Sequence, residues 1–272
     1  MNIFVNERLV YISGDEHLRD MVARYKPDAD VLVKNGCPAT PEEALCEGDR
    51  IVLIKRGEIP TADELEFLMA ARHTPGVLSR LKKAIVGIAG CGGLGSNIAV
   101  SLARVGVGHL IIADFDVVEP SNLNRQQYFV DQIGRLKVDA LRENIARINP
   151  GVMVIPHSVK LDSENLFRIF PKLDVLVEAF DRADQKAMLV ETVARFFPAL
   201  PVVLGLGMAG WGGNNLLRTR RSGNLYICGD GFAEAAPAFG LMAPRVGVVA
   251  NMQANQVMEI LLGSDAHIQE TV

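Results

Sequence analysis

Gly90-Cys91-Gly92-Gly93-Leu94-Gly95 is a glycine run of the kind that lets backbone amides approach a phosphate. It follows the apolar stretch AIVGIAG and opens a helical pattern. Glycine tolerates the tight turn and the close approach, and the start of the following helix offers N–H groups and the positive end of a dipole. Asp114 stands 24 residues after Gly90 at the end of the next apolar stretch. That is near the ~20-residue offset of a carboxylate that accepts ribose hydroxyls. The glycines and this acid fit a nucleotide without choosing among NAD, FAD, S-adenosylmethionine and ATP.

The segment that follows makes the choice. It runs Asp114-Phe-Asp116-Val-Val-Glu-Pro-Ser-Asn122-Leu-Asn124-Arg125-Gln126. A nicotinamide enzyme has no need of so polar an arginine-bearing stretch there. A triphosphate carries about four negative charges, and expelling pyrophosphate calls for cations aimed at it. Arg125 offers a planar fork, and Lys137, twelve residues on, a point charge. Asp181 follows the strand candidate DVLVEAF. Carboxyl ends of parallel strands line the ligand crevice, so Asp181 is placed for Mg²⁺, which takes oxygen ligands and bridges phosphates. Asp184 is expected to cap the next helix.

These side chains need a frame. From Lys83 onward, buried strands alternate with helices: AIVGIAG, then a helix over Gly95–Val105; HLIIADFD, then a helix over Gly134–Ile148; then MVIPHSV, DVLVEAF, a helix over Ala183–Phe196, and PVVLGLG. That alternation predicts a Rossmann-like α/β domain, a mostly parallel sheet with helices on both faces. Residues 205–244 are glycine-rich and read as irregular, and a last helix over Val246–Leu262 closes the domain. Residues 1–57 read as a small α+β unit. IFVN and RLVYI form a hairpin turning at Asn6-Glu7, a helix spans Asp15–Tyr25, and VLVKNG and GDRIVLIKRG are two more strands. That order suits a β-grasp, or ubiquitin-like, domain. Thr61-Ala-Asp-Glu64 is a capping box, predicting a linker helix from Ala62 to about Arg72. Three segments are therefore expected: 1–57, a linker at 58–82, and a nucleotide-binding domain at 83–272.

The 272 residues, 49% apolar and 22% charged, have the composition of an ordinary globular protein. A net charge of −4 argues against general attraction to nucleic acid or an anionic membrane, so any phosphate site is local. The N-terminal MNIFVNERLV lacks the pattern of a signal peptide, and no apolar run reaches the ~18 residues of a membrane span. A cytoplasmic protein is expected. Cys37, Cys46, Cys91 and Cys228 include no CxxC pair, so no zinc site is expected.

Taken together, GxGGLGS, DFDxVExSNLNRQ, the following lysine and the later strand-end aspartate resemble the ThiF/MoeB group of ubiquitin-activating-enzyme-like adenylyltransferases over roughly residues 60–262. LYICGDG and LMAPRVG resemble the ThiF subgroup of thiamine biosynthesis, and residues 1–57 resemble the sulfur carrier ThiS. The resemblance implies that Asp114 holds the ribose, that Asn122, Arg125 and Lys137 contact phosphates, and that Asp181 coordinates Mg²⁺. It also implies a homodimer in which an arginine reaches the neighbouring site; Arg72 is the best match and Arg80 the reserve. The implied reaction is ATP-dependent adenylation of the C-terminal glycine of a separate Gly-Gly-ended carrier, with a sulfur donor protein as a further partner. The N-terminal unit does not qualify as that substrate, because Lys55-Arg56-Gly57 continues into Glu58 and leaves Gly57 no free carboxylate. Some members form a covalent bond to the carrier through a cysteine; Cys228 occupies the right half of the chain, but no neighbouring His or Lys points to a lowered thiol pKa. Two other functions compete: a nicotinamide- or flavin-dependent oxidoreductase, and a non-catalytic carrier-binding protein.

Overall fold

The computed structural model describes residues 1–74 and 76–263. The chain separates into two compact units, Met1–Ser79 and Arg80–Val272.

The first unit is a five-stranded mixed sheet with strand order β2-β1-β5-β3-β4. Its strands are β1 (Asn2–Val5), β2 (Arg8–Tyr11), β3 (Val31–Lys34), β4 (Cys37–Pro38) and β5 (Arg50–Ile54). β1 and β2 are antiparallel, and β1 runs parallel to β5. The hairpin turns where expected: Asn6 and Glu7 both have positive φ, at 47° and 62°. Two left-handed residues match the twist of a two-residue hairpin loop, and Asn6 Oδ1 secures the turn by accepting the Leu53 N–H at 2.9 Å. Helix α1 (Leu18–Tyr25) packs Leu18 and Met21 onto Ile3, Val5, Ile51 and Leu53. It starts three residues later than the pattern predicts, because the His17 N–H is already bound to the Asp20 carboxylate at 2.8 Å, which fixes the first turn there.

Helix α2 (Ala62–Met69) begins at the predicted box: Thr61 Oγ1 accepts the Glu64 N–H, and the Glu64 carboxylate accepts the Thr61 N–H at 3.1 Å. It ends before Arg72. The backbone turns at Ala70–His73, and a side chain on Gly36 would lie 2.9 Å from the His73 carbonyl, so this turn packs tightly on the Asn35-Gly36 loop. Leu68 and Ala71 thereby cover Val33 and Val52, on the sheet face opposite α1. A short helix, α3 (Val77–Leu81), follows.

The second unit is the predicted α/β fold, a seven-stranded sheet ordered β11-β12-β10-β9-β6-β7-β8. The strands are β6 (Ile85–Ala89), β7 (His109–Ala113), β8 (Met153–His157), β9 (Val175–Glu178), β10 (Val202–Gly205), β11 (Arg218–Ser222) and β12 (Leu225–Gly229). All pairings are parallel except β11 with β12. The helices are α4 (Gly93–Arg104), α5 (Lys137–Ile148), α6 (Leu166–Ile169), α7 (Ala183–Phe196) and α8 (Ala243–Leu262). The order departs in opposite directions from β6, toward β7 and toward β9, which makes the β6–β9 crevice the switch point where such sheets bind ligands.

α8 starts at Ala243, three residues before the expected Val246, with Pro244 in its first turn. Three further local expectations change. Residues 205–244 are not wholly irregular, since β11 and β12 form a hairpin whose outer strand, RTRRS, is largely exposed. α5 begins at Lys137 rather than Gly134, because Gly134 and Arg135 are bonded to Val118 and their backbone is spent on that bridge. Asp184 does not cap α7. Arg182 occupies the N-cap, and Asp184, in the first turn, binds its guanidinium at 2.8 and 3.0 Å.

Candidate active site

A cavity of about 610 Å³ opens at the carboxyl ends of β6, β7, β9 and β10. Gly90, Gly92, Gly93, Asp114, Asp116, Asn122, Arg125, Gln126, Lys137 and Asp181 all line it.

The glycines do different jobs. Gly90 turns the chain at φ +100°, and a side chain there would lie 2.8 Å from the Ala179 carbonyl. Gly95 is not on the cavity; a Cβ there would lie 1.8 Å from the Gly90 carbonyl, so Gly95 lets α4 start directly against the turn. A Cβ on Gly93 would lie 3.1 Å from Val246 Cγ1. At Gly92 the nearest atom would be Gln126 Nε2 at 3.9 Å, so its backbone faces open space. The loop is held from below by Asp114, whose Oδ2 accepts the Cys91 N–H at 2.6 Å and Oδ1 the Asp116 N–H at 2.9 Å. Burial raises the Asp114 carboxyl above its ordinary value, against the opposing pull of those two N–H groups and Lys137. Each oxygen keeps a second lone pair, enough to accept from a ribose hydroxyl.

Lys137 is the first residue of α5, and its side chain is 8% exposed. One of its three N–H groups binds Asp116 Oδ2 at 2.8 Å. Arg125 lies along the glycine loop, with its stem beside Gly93, and Nη1 donates to the Ser121 carbonyl and to Asn124 Oδ1 at 3.1 and 2.8 Å. Asn122 is buried in a short 3₁₀ turn and accepts the Glu119 N–H at 3.1 Å, which shapes the segment that carries Arg125. Gln126 is buried too, and its Oε1 has no hydrogen-bond partner. Asn97 ties this segment to α4 by donating to the Gly93 and Arg125 carbonyls at 2.7 and 3.0 Å. The two cations thus flank one turn on one cavity.

Asp181 is exposed at the rim. Among the described residues, no group of three or more His, Cys, Asp or Glu side chains is placed to hold a metal by itself. That donor set suits a cation that takes one carboxylate and completes its shell with phosphate oxygens and water, as Mg²⁺ does. Arg72 is exposed and belongs to the first unit, whereas Arg80 is committed to its own chain, donating to the Leu261 and Leu262 carbonyls at the end of α8.

Two charged pairs escaped the sequence analysis. Glu178, at the end of β9, is fully buried against Lys186 of α7. Asp230 and Arg245 form a second buried pair beyond β12. A glutamate closing the otherwise apolar run VLVE was the available signal for the first, because a buried carboxylate needs a cation.

Cys91 and Cys228 are fully buried, whereas Cys37 and Cys46 are exposed. Burial pushes the Cys91 thiol well up, and burial raises Cys228 against a weaker contact from Thr219. Iodoacetamide is therefore expected to add two groups to the native protein and four in denaturant, counted by intact mass. Rapid native labelling at Cys228 would contradict its inertness.

The family described as "ThiF family" matches residues 67–272, and "ThiS-like ubiquitin" matches residues 1–57. The adenylyltransferase and sulfurtransferase UBA4 of Eremothecium gossypii is 32% identical over 221 residues, covering 76% of this chain and 49% of that protein. The chain thus spans about half the length of this relative. The molybdopterin-synthase adenylyltransferase of Escherichia coli K12 is 31% identical over 189 residues, covering 67% of this chain and 75% of that one. Among solved structures, E. coli tRNA N6-threonylcarbamoyladenosine dehydratase (TcdA) with AMP superposes with a TM-score of 0.67 over 75% of this chain and 97% of that chain. At 20% identity that likeness shows the fold alone.

Proposed function

This chain belongs to the ThiF family, with a ThiS-like ubiquitin unit at residues 1–57, and from that premise we propose that it adenylates the C-terminal glycine carboxylate of a separate small sulfur carrier protein. The observation that carries this reading is the convergence of Arg125, Lys137 and the glycine turn on one cavity. Lys137 gives one N–H to Asp116, which leaves two for phosphate oxygens. A dinucleotide oxidoreductase would leave both cations without a task.

In this reading the glycine turn and the start of α4 receive the phosphates, and Asp114 receives the ribose. The carrier carboxylate attacks the α-phosphorus, and the bond to pyrophosphate breaks. Arg125 and Lys137 stabilise the charge that gathers on the leaving group. A divalent cation at Asp181 would neutralise further phosphate charge when bound. No general base is needed, since a free carboxylate is already ionised near neutral pH. Positioning and electrostatics therefore supply the rate.

The N-terminal unit suits a docking or stabilising role rather than that of a substrate. Gly57 sits in a turn at φ +78°, and the next residue, Glu58, is ion-paired to Lys26. Arg72 is the proposed arginine for a neighbouring site in a homodimer. The carrier is proposed by its chemistry, a Gly-Gly-ended β-grasp protein. The thiamine branch rests on LYICGDG and LMAPRVG alone, while the curated relatives point toward molybdopterin and other sulfur-carrier systems.

The test is mass spectrometry of candidate carriers incubated with the protein and MgATP, alongside ATP–pyrophosphate exchange. An AMP-sized mass gain on a Gly-Gly-ended carrier, abolished by deleting its last glycine, is expected. Absence of exchange with every such carrier would favour a non-catalytic carrier-binding protein.

A further inference from the structure

Lys186 lines the cavity but is spoken for. Its Nζ lies 2.9 Å from Glu178 Oε1, 2.9 Å from Glu178 Oε2 and 2.9 Å from the Gly205 carbonyl. An ammonium has three N–H groups, so none is left for a phosphate. Lys137, with one such contact, is the opposite case. Lys186 is therefore a cation on the cavity that does not serve as a phosphate ligand.

Its partners show what it holds instead. Glu178 ends β9, and its Oε1 also accepts the Phe180 N–H at 2.6 Å, which folds the turn leading to Asp181. Gly205 ends β10, and Leu206, Gly207 and Met208 continue from it as a wall of the cavity. One side chain thus fastens the base of the Asp181 turn to the base of the wall beside it. From α8, Gln253 cross-ties the same two strands by donating to the Glu178 and Val203 carbonyls at 3.1 and 3.3 Å. Burial pushes the Glu178 carboxyl upward, opposed by Lys186, so the carboxylate relies on the ammonium for its charge. Simple packing would be better served by apolar groups, because burying an ion pair costs desolvation that its attraction only partly returns.

We propose that Lys186 is a positioning residue that fixes the Asp181 turn against the β10 wall and so sets how strongly the site prefers metal-bound ATP over free ATP. The inference rests on reading Asp181 as the acid that faces the cation. Groups that orient a metal's ligands typically change metal affinity by roughly 10- to 100-fold when removed. Loss of Lys186 is then read in binding, separately from turnover.

The experiment is calorimetric titration of the full chain with ATP in excess Mg²⁺ and with ATP in EDTA. For Lys186→Met, affinity in Mg²⁺ falls about tenfold or more, while affinity in EDTA changes less than about threefold. Lys186→Arg, which keeps a cation with several donors, retains most of the preference. Because Lys186→Met strands a buried carboxylate, Glu178→Gln/Lys186→Met is measured beside it. This pair removes both charges and is expected to show the same selective loss in a folded protein, checked by thermal melting. A wild-type ratio of the two affinities in Lys186→Met or in Glu178→Gln/Lys186→Met overturns the inference, and so does an equal loss with and without metal, which marks a merely structural role. A wild-type protein with no preference for MgATP overturns the role of Asp181 and this inference with it, whereas a preference that survives loss of the cation at position 186 overturns the inference alone.

Discussion

Replacing Lys137 with alanine is expected to slow carrier-dependent ATP–pyrophosphate exchange by roughly 100- to 1,000-fold, the usual cost of deleting one well-placed charge donor from a transition state. The side chain is 8% exposed and anchored by Asp116 at 2.8 Å, so its ammonium is aimed before substrate arrives. Asp116 is 47% exposed and regains water once the lysine is gone, so stability should change little. The loss should fall mainly on kcat, because charge on the departing pyrophosphate grows as the bond breaks. Lys137→Arg should recover little, since a planar fork does not occupy the place of a compact point charge. Exchange within about threefold of wild type for Lys137→Ala would remove this lysine from the chemistry.

Gly95→Ala is expected to do the other large damage, by a different route. The added Cβ would lie 1.8 Å from the Gly90 carbonyl and 3.3 Å from Ala179 Cβ. Both contacts belong to rigid main chain or packed core, so the start of α4 must move away from the turn. Overpacking of this kind costs about 1–3 kcal/mol, and more where backbone has to shift. We expect a clear drop in melting temperature together with loss of detectable ATP binding. Gly92→Ala is the informative contrast. Its Cβ would meet nothing nearer than 3.9 Å, so stability should hold while any loss of nucleotide affinity reports crowding at the phosphates. A Gly95→Ala protein that melts and binds like wild type would show that the turn is more compliant than its contacts imply.

Elements whose cause is local were readable from residue order. The box Thr61–Glu64, the hairpin at Asn6-Glu7 and the whole of α7 follow from side chains within a few positions of one another. The polar segment after β7 was readable as part of a site because so many polar and charged types follow a buried strand, and Asp114, Asp116, Asn122, Arg125 and Gln126 do line the cavity. Elements whose cause is distant were not readable. β11 carries RTRRS, with no alternation to betray a strand, and exists because β12 offers it a ladder. The start of α5 depends on Val118 drawing Gly134 and Arg135 into a bridge. Lys186 finds Glu178 and Gly205 only after a strand, a turn and a helix have folded, and no spacing rule joins residues 186 and 205.

The placement of α2 bears on how the front of this protein can be excised for study. A fragment cut after Gly57 would leave the aliphatic side chains of Val33 and Val52 without Leu68 and Ala71 above them, and such bare patches drive clumping at the concentrations spectroscopy requires. A fragment reaching Ser79 brings its own cover, so the shorter piece is the wrong reagent for asking what the first unit binds.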